Sequence, residues 1–90
     1  MYMASYETFV CEVRDDAGLH ARPAANLARF AGELESTIRL SGNGKTVDAK
    51  SMIMVMSLGI KSGETVSFEV LGDNAEDDRA LLENYCSQNL

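Results

Sequence analysis

Apolar Phe9, Cys11 and Val13 alternate with Thr8, Val10 and Glu12, which is the two-residue period of a strand with one largely apolar side, so residues 6–13 are predicted to be the first strand. Gly18 marks a turn. Beyond it Ala24, Leu27, Ala28, Phe30 and Ala31 recur near helical spacing, predicting a helix over residues 21–31 with Gly32 as its stop. Thr37, Ile38, Arg39 and Leu40 alternate as a second strand. Asn43-Gly44 is the strongest short hairpin signal, and it returns the chain into a short partner strand at Lys45, Thr46, Val47 and Asp48.

Ser51 then precedes a run of good helix formers ending at Gly59, predicting a short helix over residues 52–58 with Ser51 as its N-cap. Val66, Phe68 and Val70 against Thr65, Ser67 and Glu69 read as another half-buried strand. Asn74 is expected to cap a last helix over residues 75–88, with Leu81, Leu82 and Tyr85 facing inward and acids in its first turn. The order is β-α-β-β-α-β-α. Strands with one polar and one apolar side need helices on a single face, so the predicted class is α+β: an open-faced sandwich with a four-stranded antiparallel sheet.

Ninety residues bound the answer to one domain, 1–90, burying roughly 60 to 65% of the unfolded chain's surface, with the first five residues expected to be an unanchored extension. The longest apolar run, residues 52–56, is far short of the roughly 20 residues a bilayer span needs, and no signal peptide pattern opens the chain. A cytoplasmic protein without membrane insertion is expected. The net charge of −6 argues against a nucleic-acid partner, which needs a basic patch. Asp73, Glu76, Asp77, Asp78 and Glu83 read mostly as a solvated helix face, whereas Arg22, Arg29, Lys45 and Lys50 lie nearer the chemistry. Cys11 and Cys86 fit neither a redox nor a zinc pattern, so both read as buried thiols, and no metal or cofactor is expected.

The candidate chemistry is concentrated at Gly18, Leu19, His20, Ala21, Arg22 and Pro23. Proline belongs in the first turn of a helix, because its fixed φ is helical and its missing N–H leaves no intrahelical bond unmade. A helix start leaves backbone N–H groups without partners and carries the positive end of the dipole, so an anion is stabilised there. Free imidazole titrates near pH 6.5 and at neutral pH is largely the nucleophilic form. Arg22 adds a fork of donors matched to phosphate oxygens. Together these predict a phosphoryl-holding site, although a lone histidine is more often an ordinary surface or core residue. Gly44-Lys45-Thr46 superficially matches the end of a nucleotide-binding P-loop, but Arg39 stands where that motif needs its first glycine, and the loop leads into a strand.

Gly18 to Ala25 resembles the active-site signature of the HPr family, the histidine phosphocarriers of the bacterial sugar phosphotransferase system, and Gly44 to Gly59 resembles the family's serine-site segment. The resemblance implies the same fold, and it implies that His20 accepts a phosphoryl group from enzyme I, charged by phosphoenolpyruvate, and passes it to enzyme IIA domains. The modified nitrogen would be Nδ1, leaving the other outward. It implies a carrier and not a stand-alone enzyme. No second acid or base is evident near His20, so partners are expected to supply the remaining chemistry. Ser51 is implied as a regulatory site for an HPr kinase/phosphorylase, with a catabolite-control transcription factor as a further partner, and the carrier is expected to be monomeric.

Docking is expected to use Arg29, Lys50, Met52, Ile53 and Met56. Helical spacing sets Val55 and Leu58 on one face and those three apolar residues largely on another. Gly32 and Met54 stand where relatives often carry a basic residue. Two alternatives remain: a regulatory binding module acting through phosphorylated Ser51, and a carrier of the nitrogen-related branch, from which Ser51 and the methionines diverge.

Overall fold

The computed structural model describes residues 5–90. Strand β1 spans Ser5–Glu12, helix α1 Ala21–Gly32, β2 Thr37–Gly42, β3 Lys45–Asp48, α2 Met52–Ser57, β4 Thr65–Gly72 and α3 Ala75–Asn89. The strands form one antiparallel sheet in the order β1-β4-β2-β3. Its register aligns Phe9, Phe68, Leu40 and Val47 in a single row across all four strands, every one of them buried. Phe9 and Phe68 stack with ring centroids 4.8 Å apart. The adjacent row, Val10, Ser67, Ser41 and Thr46, points to the other face, where Val10 is exposed and the Ser41 and Thr46 hydroxyls lie 2.7 Å apart. One side of the sheet is therefore apolar and the three helices close over it, burying Leu27, Val55 and Leu82 completely. Each such side chain contributes roughly 1.5 to 3 kcal/mol.

Local chemistry explains most boundaries. Asn43 and Gly44 both take positive φ, 51° and 79°, as a two-residue hairpin of the type I′ kind requires. The Ser51 hydroxyl accepts from the Met54 N–H at 3.3 Å and caps α2. The Asn43 amide donates to the carbonyls of Leu58 and Gly59, at 2.8 and 3.2 Å, tying the hairpin turn to the far end of α2.

Several expectations are corrected. Ser5, read as part of an extension, pairs with Gly72 in β1; residues 1–4 lie outside the described residues. Helix α1 runs through Gly32, and the chain stays in right-handed helical geometry at Glu33, so no glycine-type stop is used. Leu81 is 54% exposed, because Leu82 and Cys86 occupy the one inward stripe of α3. Asn74 occupies the N-cap position of α3 without a side-chain cap, its amide donating instead to Glu35 at 3.1 Å. Asp78 is not part of a solvated acidic face: it is buried and accepts from both the N–H and the hydroxyl of Ser36. Cys86 is buried as expected, but Cys11 is only half-buried; both are free thiols.

Candidate functional site

His20 is the N-cap of α1. Its backbone is extended, with φ −83° and ψ −169°, and its carbonyl accepts the first helical bond from Ala24 at 3.0 Å. Its side chain makes no cap hydrogen bond, so the ring is not consumed by the helix end. The first-turn amides of Ala21 and Arg22 have no helical acceptor, and Pro23 contributes no amide at all. Pro23 is buried where it fits a helical φ, and it anchors the turn that presents the ring.

The segment before the helix is fixed from two sides. Leu19 is buried and donates its N–H to Ile60 at 3.0 Å. Gly18 has φ +72°, and a Cβ there would collide with the Ile60 carbonyl oxygen and approach the Lys61 Cα to 2.9 Å, so no other residue fits. Further back, the main-chain oxygen of Leu90 accepts from the N–H groups of Arg14 and Asp15, at 2.6 and 3.0 Å, and the Arg14 guanidinium donates to the Ser87 carbonyl. Helix α3 and the α2–β4 connection thus hold the loop as a frame.

A shallow open cleft of about 310 Å³ contains the ring, lined by Asp15, His20, Arg22, Pro23, Asn26, Tyr85 and Asn89. The His20 side chain is 44% exposed. Its Nε2 lies 3.3 Å from Asp15 Oδ1, and the same carboxylate oxygen accepts from the Ala17 N–H at 3.0 Å. The reading that no second acid or base stands near His20 is therefore corrected, and Nε2 is turned to a carboxylate instead of simply outward. The sequence held a signal for it: an Asp two residues before a free amide, ahead of a glycine turn, is a local side-chain–backbone motif. Asn26, Tyr85 and Asn89 carried no such signal, since tertiary packing alone brings α3 to the start of α1. Burial, chiefly, pushes the Tyr85 phenol pKa up, against the lowering influence of Arg29.

The other candidates are dispersed. Arg29 does not line the histidine cleft but the one adjoining it, with Asn26, Phe30, Glu33 and Tyr85. Lys50 is half-buried and donates its ammonium to the Leu34 carbonyl at 2.9 Å, which ties it to the end of α1 and away from free solvent. Ser51 sits at the start of α2. Met52, Ile53, Met54 and Met56 are all exposed on α2, Ile53 by 77%, while Val55 and Leu58 turn inward as their spacing predicts. Met54 joins the apolar surface that sequence reasoning assigned to the other three. Among the described residues no cluster of three or more His, Cys, Asp or Glu side chains could hold a metal, and no helix is long and apolar enough to cross a membrane.

What this arrangement can do chemically is receive an anion: an open imidazole, two unpaired amides, a dipole and a guanidinium converge without a deep pocket. Residues 8–88 match the family model described as the PTS HPr component phosphorylation site. The chain is 47% identical over 66 residues to the phosphocarrier protein HPr of Cupriavidus necator, covering 72% of this chain and 74% of that one. It is 40% identical over 76 residues to a multiphosphoryl transfer protein of Vibrio cholerae, covering 81% of this chain but only 19% of that much longer protein. Among solved structures, HPr of Bacillus anthracis superimposes with a TM-score of 0.82 at 33% identity, covering 91% of this chain and 98% of that one. The Bacillus subtilis catabolite repression protein Crh, described as a swapped dimer, gives 0.72 at 34% identity over 88% and 91%. With the strand order, the exposed histidine and these likenesses in agreement, the chain belongs to the HPr family, the phosphocarrier proteins of the phosphotransferase system.

Proposed function

We propose that His20 is the phosphoryl acceptor of this carrier, taking the group from phosphorylated enzyme I and giving it to enzyme IIA domains. The observation that carries this reading is the ring's position: open to solvent at the start of α1, unbonded to the helix, and sharing its cleft with Arg22. The ring attacks phosphorus as the donor's phosphorus–nitrogen bond breaks, and the electron pair returns to the donor's imidazole. Transfer of this kind rests on positioning and charge neutralisation, which Arg22 and the Ala21 and Arg22 amides supply. Gly18 and Pro23 set the geometry, and no cofactor is involved.

The exposed apolar side chains of α2, Met52, Ile53 and Met56 with Met54, form the docking face, with Arg29 supplying charge to acidic partners. Methionine suits a surface that must repack against several proteins. Lys50 contributes mainly by holding α1 against the α2 entry. The carrier acts as a cytoplasmic monomer.

Incubation with enzyme I and phosphoenolpyruvate should place one acid-labile phosphate on the wild type and none on His20→Ala, whose circular dichroism stays native. Label persisting on that variant rejects the reading. Arg22→Ala should slow labelling by about tenfold or more.

A second role is regulation through Ser51, favoured by its hydroxyl lying at the helix start and by the structural likeness to a catabolite repression protein. An HPr kinase/phosphorylase would add a dianion there, where the dipole favours it, changing the docking surface of α2 more than the fold. A catabolite-control transcription factor would read that form. Incubation with such a kinase and ATP should label the wild type and leave Ser51→Ala unlabelled.

A further inference from the structure

We infer that Asp15 is a positioning residue for phosphoryl transfer, one that fixes the tautomer of His20. This rests on His20 being the acceptor. The carboxylate faces Nε2 at 3.3 Å, and the side chain is held there by a second contact, since its Oδ1 also accepts from the Ala17 N–H. Its own backbone is clamped by the Leu90 oxygen and by the turn that closes from the Gly18 N–H to the Asp15 carbonyl at 2.9 Å. The carboxylate therefore cannot swing away without breaking a local turn.

The negative charge of the carboxylate beside Nε2 favours the ring form whose proton lies on that nitrogen. That choice leaves the lone pair on Nδ1. Neither nitrogen is engaged by the helix amides, and Asp15 is the acidic side chain that shares the cleft with the ring. In the transfer step Nδ1 bonds to phosphorus, the donor's bond to phosphorus breaks with its electrons returning to the donor, and the Nε2 proton stays in place. The phosphorylated ring is then cationic, with its N–H against the carboxylate. When an acceptor attacks, the phosphorus–Nδ1 bond breaks and the ring leaves as neutral imidazole with its proton still on Nε2. Asp15 touches no reacting atom; it acts through the ring, as outer partners orient metal-bound histidines.

The test compares Asp15→Asn, which keeps an oxygen for the Ala17 amide but loses the charge, with Asp15→Ser, whose hydroxyl supports the same kind of turn yet is too short to reach the ring. Imidazole nitrogen-15 shifts, recorded above the ring's titration on the unphosphorylated protein, report which nitrogen holds the proton and need no partner. The fraction protonated at Nε2 should fall in the order wild type, Asn, Ser, and the rate of labelling by phosphorylated enzyme I should fall in parallel, by on the order of tenfold for Ser. Unchanged shifts and rates in both folded variants overturn the inference while leaving the carrier reading intact. A rate loss without a shift change also overturns it, because that is what a purely structural turn would give. Failure of wild-type labelling, by contrast, sinks the carrier reading itself.

Discussion

Gly18 lies so close to Ile60 that the carbonyl of Ile60 occupies the space a side chain would need. This contact, with the Leu19 N–H bonded to the same carbonyl, sets where the histidine loop leaves the β4 connection. Gly18→Ala should cost at least about 2 kcal/mol in urea unfolding, because positive φ and a backbone collision add, and it should slow phosphorylation as the loop shifts. Gly44 provides the comparison: its φ is 79°, but open space surrounds it, so Gly44→Ala should cost only about 1 kcal/mol. Equal losses for the two would show that the collision plays no part.

Asp78 and Ser36 form the one buried polar link between α3 and the α1–β2 connection, with distances of 3.0 and 2.6 Å to the same oxygen. Asp78→Ala strands two buried donors and should destabilise by about 2 to 4 kcal/mol, whereas Asp78→Asn, which keeps an acceptor, should lose less. Chemical denaturation of the two variants measures the difference. An alanine variant as stable as the asparagine one would place Ser36 in contact with water.

Truncating Ser51 removes the cap of a six-residue helix. Ser51→Ala should lose about 1 kcal/mol, a fall in Tm of roughly 4 to 8 °C for a domain of this size. Ser51→Asp, a cap of equal quality, should melt close to the wild type. Calorimetry of the three proteins decides it.

Burial, reinforced by the neighbouring Cys11 thiol, raises the Cys86 thiol pKa far above its ordinary value, and burial raises Cys11 as well. The unfolded chain releases the Cys86 proton near pH 8.5 while the folded chain keeps it. The stabilisation is thus fully present below that pH and is lost above it, by up to about 1.4 kcal/mol per pH unit for Cys86. Unfolding free energies between pH 7 and 10 should fall along this slope. Cys86→Ala, though less stable throughout, should show a flatter profile; an unchanged slope would assign the effect to other groups.

The legible parts of this protein are those written in neighbouring residues. Asn43-Gly44 reads as a hairpin because its conformation is local, Ser51 reads as a cap because its partner is three residues on, and His20, Arg22 and Pro23 read as an anion site because one helix start contains them all. What sequence reading missed depends on distant chain. Asp15 reaches His20 only because Leu90 and Ile60 hold the loop from opposite sides. Asp78 looked like any acid in a helix's first turn until Ser36 came to meet it, and Leu81 looked as apolar as Leu82 although one helical step of about 100° separates buried from exposed. Ser5 extends β1 beyond the alternating residues that mark the strand, because its pairing with Gly72 uses backbone alone.

The shallowness of the histidine cleft also dictates traffic. With His20 as the proposed acceptor, donor and acceptor must each bring a reactive atom to the same nitrogen, and a basin this open leaves them no separate approach, so they would exclude one another and the carrier would shuttle between them one at a time. Throughput is then governed by how fast each complex falls apart, which rewards brief, weak embraces over tight ones.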